Sequence, residues 1–230
     1  GIPVVKASAE AHGLSAAGLW LPQMVLGELY TGSNFDDGAG SMVGGRHGFG
    51  AKLANIFSEW FSIETADTDA RLLYSQIWRS NMSEVEVPLV KPLPPETPDF
   101  TRVTMMPDYA RLLDHSSLLS GNARLDADTL AMLTRRVYEA AACVSSDVTV
   151  ALNGAPIDVN GLEGLMGLYP RTKAADAEGA VSVVRQLGPR WKVGVAPRPD
   201  GAFAHVSFVN GVATPRGGTH VELIERQLVR

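Results

Sequence analysis

The sequence predicts a mixed α+β fold, and three observations carry that reading. Runs rich in β-branched and aromatic residues cluster between Ser62 and Met106. Apolar residues at helical spacing recur on both sides of that cluster, and a run of six glycines from Gly38 to Gly50 leads directly into one of the helical patterns. Glycine accepts positive φ and lets the backbone approach a ligand closely, while a helix start offers unpaired N–H groups and the positive end of a dipole.

Each element follows from its local pattern. Leu21, Met24, Val25, Leu26 and Leu29 suit a short helix within Trp20 to Tyr30, ended by the polar run Thr31-Gly32-Ser33-Asn34-Phe35-Asp36-Asp37. That run and the glycine stretch form one long loop, of a length that points to function or disorder. Leu53, Ile56, Phe57 and Trp60 then fall at i, i+3, i+4 and i+7, an apolar stripe with Lys52 in the first turn. Strands are expected at Ser62 to Thr65, Leu72 to Trp78, Val85 to Val90 and Thr101 to Met106, with Pro88, Pro92, Pro94, Pro95 and Pro98 marking an edge and a surface loop. Leu130, Leu133, Val137 and Ala141 give a helix over Asp128 to Ala142, and Val148 to Leu152 runs into Asn153-Gly154, a hairpin signal.

At Asn160-Gly161 the texture changes, which predicts two domains, residues 1–160 and 161–230. The second would hold a helix near Leu162 to Tyr169, strands at Trp191 to Ala196 and Phe203 to Val209 joined through Pro199-Asp200-Gly201, and a closing helix. In that helix Thr219 and Glu222 form a capping box.

Composition narrows the function classes. A formal net charge of -5 argues against a chain that is mainly a nucleic-acid grip, and the single cysteine, Cys143, excludes an internal disulfide and a cysteine-based metal site. No run of apolar residues is long enough for a membrane helix, and the first residues lack a signal-peptide pattern. The absence of an initiator methionine makes a fragment the expectation. His12, His115, His205 and His220 read as structural or surface residues, and no nucleophile pattern accompanies the last two. His47 has no second ligand at metal spacing, so it reads as a loop histidine facing solvent or phosphate.

Two glycine motifs fail on spacing. Gly45 to Gly50 has the glycine interval of a Walker loop but continues Ala51-Lys52-Leu53, with no Ser or Thr for magnesium. A dinucleotide fingerprint starting at Gly48 would need glycine at Leu53 and a strand just before it. By itself, a glycine-rich loop before a helix is either a ligand cradle or a surface connection.

The string Thr31-Gly32-Ser33-Asn34-Phe35-Asp36-Asp37 followed by Gly44-Gly45-Arg46-His47-Gly48-Phe49-Gly50-Ala51-Lys52-Leu53-Ala54-Asn55-Ile56-Phe57-Ser58 resembles the ATP lid of the eukaryotic type IIA DNA topoisomerases. Gly1-Ile2-Pro3-Val4, Thr104-Met105-Met106-Pro107-Asp108, Thr134-Arg135-Arg136, and Ser207 to Asn210 with Gly217-Gly218-Thr219-His220-Val221 resemble further motifs of that family in the same order. The resemblance implies a GHKL (Bergerat) two-layer α/β sandwich followed by the start of a transducer of ribosomal S5 domain 2-like topology. It implies ATP and Mg2+ as cofactors, DNA as a partner of the parent protein, a homodimer formed through the ATPase gate, and a nuclear or mitochondrial location. Gly32, Ser33 and Asn34 would touch the ribose or phosphates, and Gly45, Arg46, His47, Gly48, Phe49, Gly50, Ala51 and Lys52 would wrap the triphosphate, with Lys52 adding a point charge. Thr104 would lie at the floor of the adenine pocket. His47, Phe49 and Gly32 replace the family's usual Asn, Tyr and Ser, which leaves a nucleotide-binding module without turnover as the alternative. The family's general-base Glu, its magnesium-binding Asn and its transducer lysine have no counterpart here, so the fragment alone is expected not to hydrolyse ATP.

Overall fold

The computed structural model describes residues 1–8, 18–29, 31, 48–112, 125–169, 182–198 and 200–228. The chain divides into two compact units, 1–124 and 125–230. The helix over 127–143 falls in the second of these, because it packs with the elements that follow it.

In the first unit, helices α1 (Leu21–Gly27) and α2 (Phe49–Ile56) precede strands β1 (Ser58–Asp67), β2 (Leu72–Arg79), β3 (Glu84–Val85), β4 (Leu89–Pro92) and β5 (Phe100–Pro107), and the short helix α3 (Tyr109–Leu112) follows them. The sheet is antiparallel with order β3-β2-β1-β5, and β4 also pairs with β2. β1 is paired on both sides, with Ile63 opposite Gln76 and Val103, and Thr65 opposite Tyr74 and Thr101. Since side chains alternate along a strand, Phe61, Ile63, Thr65, Tyr74 and Trp78 share one face, and Ser62, Glu64, Ser75, Arg102 and Thr104 share the other.

The first face is buried along β1 and β2, while its β5 residues Val103 and Met105 are exposed. Val4, Leu26, Phe61, Ile63, Tyr74 and Trp78 form its buried cluster, with Trp20 and Ala54 against it. Each such side chain contributes about 1.5–3 kcal/mol by burial. The Trp78 ring stands edge-on to Phe61 at 6.0 Å between centroids. The Tyr74 hydroxyl donates to Gln76 Oε1 at 2.5 Å, which satisfies the two polar groups beneath the helices.

Three consecutive non-glycine residues, Ser80, Asn81 and Met82, take positive φ in the turn after β2. The surroundings hold this uncommon geometry: Asn81 Nδ2 donates to Ile56 O at 3.1 Å, at the end of α2, and to Asp108 Oδ2 at 2.9 Å. Beyond it, Gln76 and Ile77 of β2 face the three residues Glu86, Val87 and Pro88, a bulge that interrupts one edge of the sheet. Val87 projects from it, 89% exposed.

The apolar stripe expected on the second helix is corrected by the structure. α2 ends at Ile56, so Phe57 lies outside it and Trp60 belongs to β1. Leu53 and Phe57 are exposed, and the buried residues of α2 are Lys52 and Asn55.

In the second unit, α4 (Ala127–Cys143) starts at Asp126, whose carboxylate accepts from Thr129 N at 2.6 Å. Hairpin β6 (Ala151–Leu152) to β7 (Ala155–Pro156) turns on Asn153-Gly154, both at positive φ, as the sequence predicts. α5 (Gly161–Gly167) brings Leu165 against Ala141 and Val159 in a small core. β8 (Val183–Gln186) pairs with β9 (Lys192–Val195), and a further strand is expected at Phe203 to Val209. That segment forms only β10 (Phe208–Val209), which turns through Asn210-Gly211 onto β11 (Val212–Ala213). α6 (Thr219–Leu228) begins one residue earlier than a capping box requires, and Glu222 N returns to Gly218 O at 3.1 Å.

One buried carboxylate ties the N-terminal segment to the sheet. Asp67 Oδ1 accepts from Ala70 N at 2.9 Å and Oδ2 from Val4 N at 2.7 Å, and these bonds hold its carboxyl below the usual carboxylate range. A depressed folded value stabilises the fold above the unfolded value of about 3.9, and the contribution is lost as pH falls through the folded value. Asp67→Ala should therefore cost about 1–3 kcal/mol at pH 7 by leaving two N–H groups without acceptors. Urea titrations at pH 7 and at pH 3 should show that the cost shrinks in acid.

Candidate site at the start of the second helix

The expected cradle is described from Gly48 onward, and Gly32, Ser33, Asn34, Gly45, Arg46 and His47 lie outside the described residues. Gly48 caps α2 in the left-handed region at φ 65°, ψ 19°, a conformation that favours glycine. Phe49, Gly50 and Ala51 form the first turn, where N–H groups have no acceptor within the helix. Gly50 is explained by neither backbone nor packing. Its φ is not positive, and a Cβ placed on it would meet no atom within 4 Å. Among the described residues a helix-weakening glycine thus borders open space at the positive end of a helix, the geometry in which an anion approaches the backbone.

Lys52, expected beside the phosphates, is 1% exposed. Its Nζ donates to Thr31 Oγ1 at 2.8 Å, and that oxygen lies 3.1 Å from Met24 O and 2.9 Å from Glu28 O, the carbonyls at the end of α1. Beside it Asn55 Nδ2 donates to Leu26 O at 3.2 Å, while Asn55 Oδ1 is buried without a partner among the described residues. A cation and two donors thus meet the carbonyl end of α1, where the negative dipole end favours them.

Thr104 was expected at the floor of the adenine pocket. It sits on the sheet face opposite the helices, exposed beside Ser62, in a shallow depression shared with Glu64 and Arg102. The threonine of that strand on the helix face is Thr101, whose Oγ1 lies 2.9 Å from Thr65 Oγ1. Ile2 N donates to both, at 2.9 Å to Thr65 Oγ1 and 3.1 Å to Thr101 Oγ1. Gly1 is packed so closely there that a Cβ would lie 2.0 Å from Ala66 O. Strand parity was the signal that separates Thr101 from Thr104.

In the second unit His205, Ser207, Thr214 and His220 are brought into one hydrogen-bonded chain, with Ser207 Oγ 2.7 Å from Thr214 Oγ1 and 3.4 Å from His205 Nδ1, and Thr214 Oγ1 3.2 Å from His220 Nε2. It fastens the β10–β11 hairpin to the start of α6. Among the described residues no three His, Cys, Asp or Glu side chains converge on a point that could hold a metal ion. No helix among them is long and apolar enough to cross a membrane.

Burial pulls the Lys52 ammonium below the usual lysine range, and the Glu28 carboxylate opposes part of that shift. Between the lowered folded value and about 10.5 the unfolded chain binds more protons than the folded one, so this residue makes stability rise with pH in that window. Burial raises the Tyr74 hydroxyl, which acts in the opposite sense at high pH. The difference between wild type and Lys52→Met isolates the first effect: thermal melts from pH 7 to 10 should show the wild type gaining on the variant.

No family model matches the chain. It is 36% identical over 230 residues to DNA topoisomerase 2-alpha of Rattus norvegicus and 36% identical over 239 residues to the mitochondrial DNA topoisomerase 2 of Dictyostelium discoideum. Both alignments take in 100% of the chain, which spans 14% and 17% of those proteins. Among solved structures, the ATPase and transducer domains of DNA topoisomerase II from Balamuthia mandrillaris superpose with a TM-score of 0.80 at 38% identity, over 99% of this chain and 52% of that one. The ATPase region of Saccharomyces cerevisiae topoisomerase II gives 0.81 at 34% identity, over 100% of this chain and 55% of that one. With its whole length aligned at this identity and superposed on these structures, the chain is a homologue of the ATPase region of DNA topoisomerase II.

Proposed function

We propose that the chain binds the triphosphate of ATP at the start of α2 and serves in the ATPase gate of a type IIA topoisomerase, a protein that couples ATP binding and hydrolysis to passage of one DNA duplex through another. The observation that carries this reading is Gly50, a glycine required by neither conformation nor packing at the N-terminal turn of a helix. Backbone N–H groups of that turn bind phosphate oxygens, and Lys52 supplies positive charge one turn further in. Gly32, Ser33, Asn34, Gly45, Arg46 and His47 are proposed to complete the nucleotide contacts. The adenine-floor role passes from Thr104 to Thr101, since only Thr101 shares the helix face of the sheet.

Residues 1–160 are accordingly proposed to belong to the GHKL (Bergerat) class, and residues 161–230 to begin the transducer of ribosomal S5 domain 2-like topology. ATP with Mg2+, DNA through the full-length protein, and a second copy meeting it at the gate are the proposed cofactors and partners. The nucleus is the proposed location, with the mitochondrion as the alternative that the Dictyostelium relative supports. The 230-residue chain alone is proposed not to turn ATP over. A second reading, nucleotide binding without turnover by the full-length protein as well, is favoured by Phe49 in the first turn, where the family's usual residue carries a hydroxyl.

Gly50→Ala tests the site itself. Alanine should stabilise the helix by about 0.5–1 kcal/mol, yet the added methyl should weaken binding of a non-hydrolysable ATP analogue to the full-length protein by about tenfold. Unchanged affinity in calorimetric titration would remove the helix start as the phosphate site. Thr101→Val should lower affinity for adenine nucleotides by about fivefold, the worth of about one hydrogen bond. Thr104→Val should leave it unchanged.

A further inference from the structure

We propose that Thr31 is a positioning residue of the nucleotide site, one that aims the Lys52 ammonium by holding it between the end of α1 and the start of α2. The proposal rests on the nucleotide reading above and assigns a role to a residue outside the expected contact set.

Lysine carries its charge on a flexible four-carbon stem and has three donors to place. Here the ammonium is buried, and among the described residues its hydrogen-bond partner is one neutral hydroxyl, with no carboxylate within ion-pair distance. A buried cation in that state retains donor capacity for an anion. Thr31 is itself held in place: its oxygen faces Met24 O and Glu28 O, so its hydroxyl proton goes to a carbonyl and a lone pair is left for Lys52 Nζ. Asn55 makes the parallel bond to Leu26 O, which keeps the two helices in register around the pair. Thr31 stands immediately before Gly32 and Lys52 one turn after Gly48, so the bond also joins the two ends of the glycine-rich stretch. Without the hydroxyl the stem regains rotamer freedom, and among the described residues it is the Glu28 charge that is left to direct the ammonium.

The experiment compares the full-length wild type with Thr31→Val, Thr31→Ser, Lys52→Met and the double variant Thr31→Val/Lys52→Met, titrating each with a non-hydrolysable ATP analogue and with AMP. Thr31→Val should weaken the triphosphate analogue by about tenfold and leave AMP within about twofold, as expected for loss of one charge-assisted contact to the terminal phosphates. Thr31→Ser should restore the affinity, and the double variant should bind no more weakly than Lys52→Met alone. If Thr31→Val does not fold, Thr31→Cys gives the same comparison with a weak acceptor of similar volume. Equal losses for both nucleotides, no loss, or tighter triphosphate binding would overturn the proposal. A wild type that binds neither nucleotide would instead overturn the nucleotide reading on which it rests.

Discussion

The two-residue alternation of β1, paired on both sides, is the constraint from which the rest of the first unit follows. A strand with neighbours on each edge cannot slip by one residue without turning Phe61, Ile63 and Thr65 out of the core and Ser62 and Glu64 into it. Every assignment to the helix face or the open face inherits that parity. It places Thr65 and Thr101 against the first residues of the chain, and it places Thr104 with Arg102 and Glu64 on the other side.

The second determining feature is an inversion of the usual helix pattern. On α2 the buried positions are a lysine and an asparagine, and Leu53 faces out. Burying an ammonium and an amide is costly unless they find acceptors, and here the acceptors are the Thr31 hydroxyl, itself bonded to Met24 O and Glu28 O, for one group and Leu26 O for the other. The arrangement binds the helix start to its neighbour by directional bonds, which fix its orientation more tightly than apolar contact alone would. A first turn that must present N–H groups to a ligand benefits from that rigidity.

Much of this was legible in the residues. Strands β1, β2 and β5 were, because Val, Ile, Thr and aromatic side chains recur with turn residues between them, whereas the one strand read at Val85 to Val90 is two, β3 and β4; the Asn153-Gly154 hairpin was legible too, because its turn demands positive φ at both positions. The glycine-rich entry to a helix was legible as well. The direction of that helix was not, since apolar spacing reads Leu53 and Phe57 as inward and cannot register carbonyls offered by a distant segment. The face that Thr104 takes was hidden for a related reason: a motif names a residue type in a strand, while the face depends on pairing with Ser62 or Ile63. In the second unit short strands of two to four residues leave little periodicity to read, so the pairing of Val183–Gln186 with Lys192–Val195 went unseen.

The bulge at Glu86 to Pro88 bears on how the protein behaves in company. An extended segment from another molecule that tried to lengthen the sheet along β3 and β4 would meet a kinked ladder in which Pro88 and Pro92 offer no N–H and Val87 stands out of line. That flank is closed to strand recruitment, and runaway cross-β growth has no template on it.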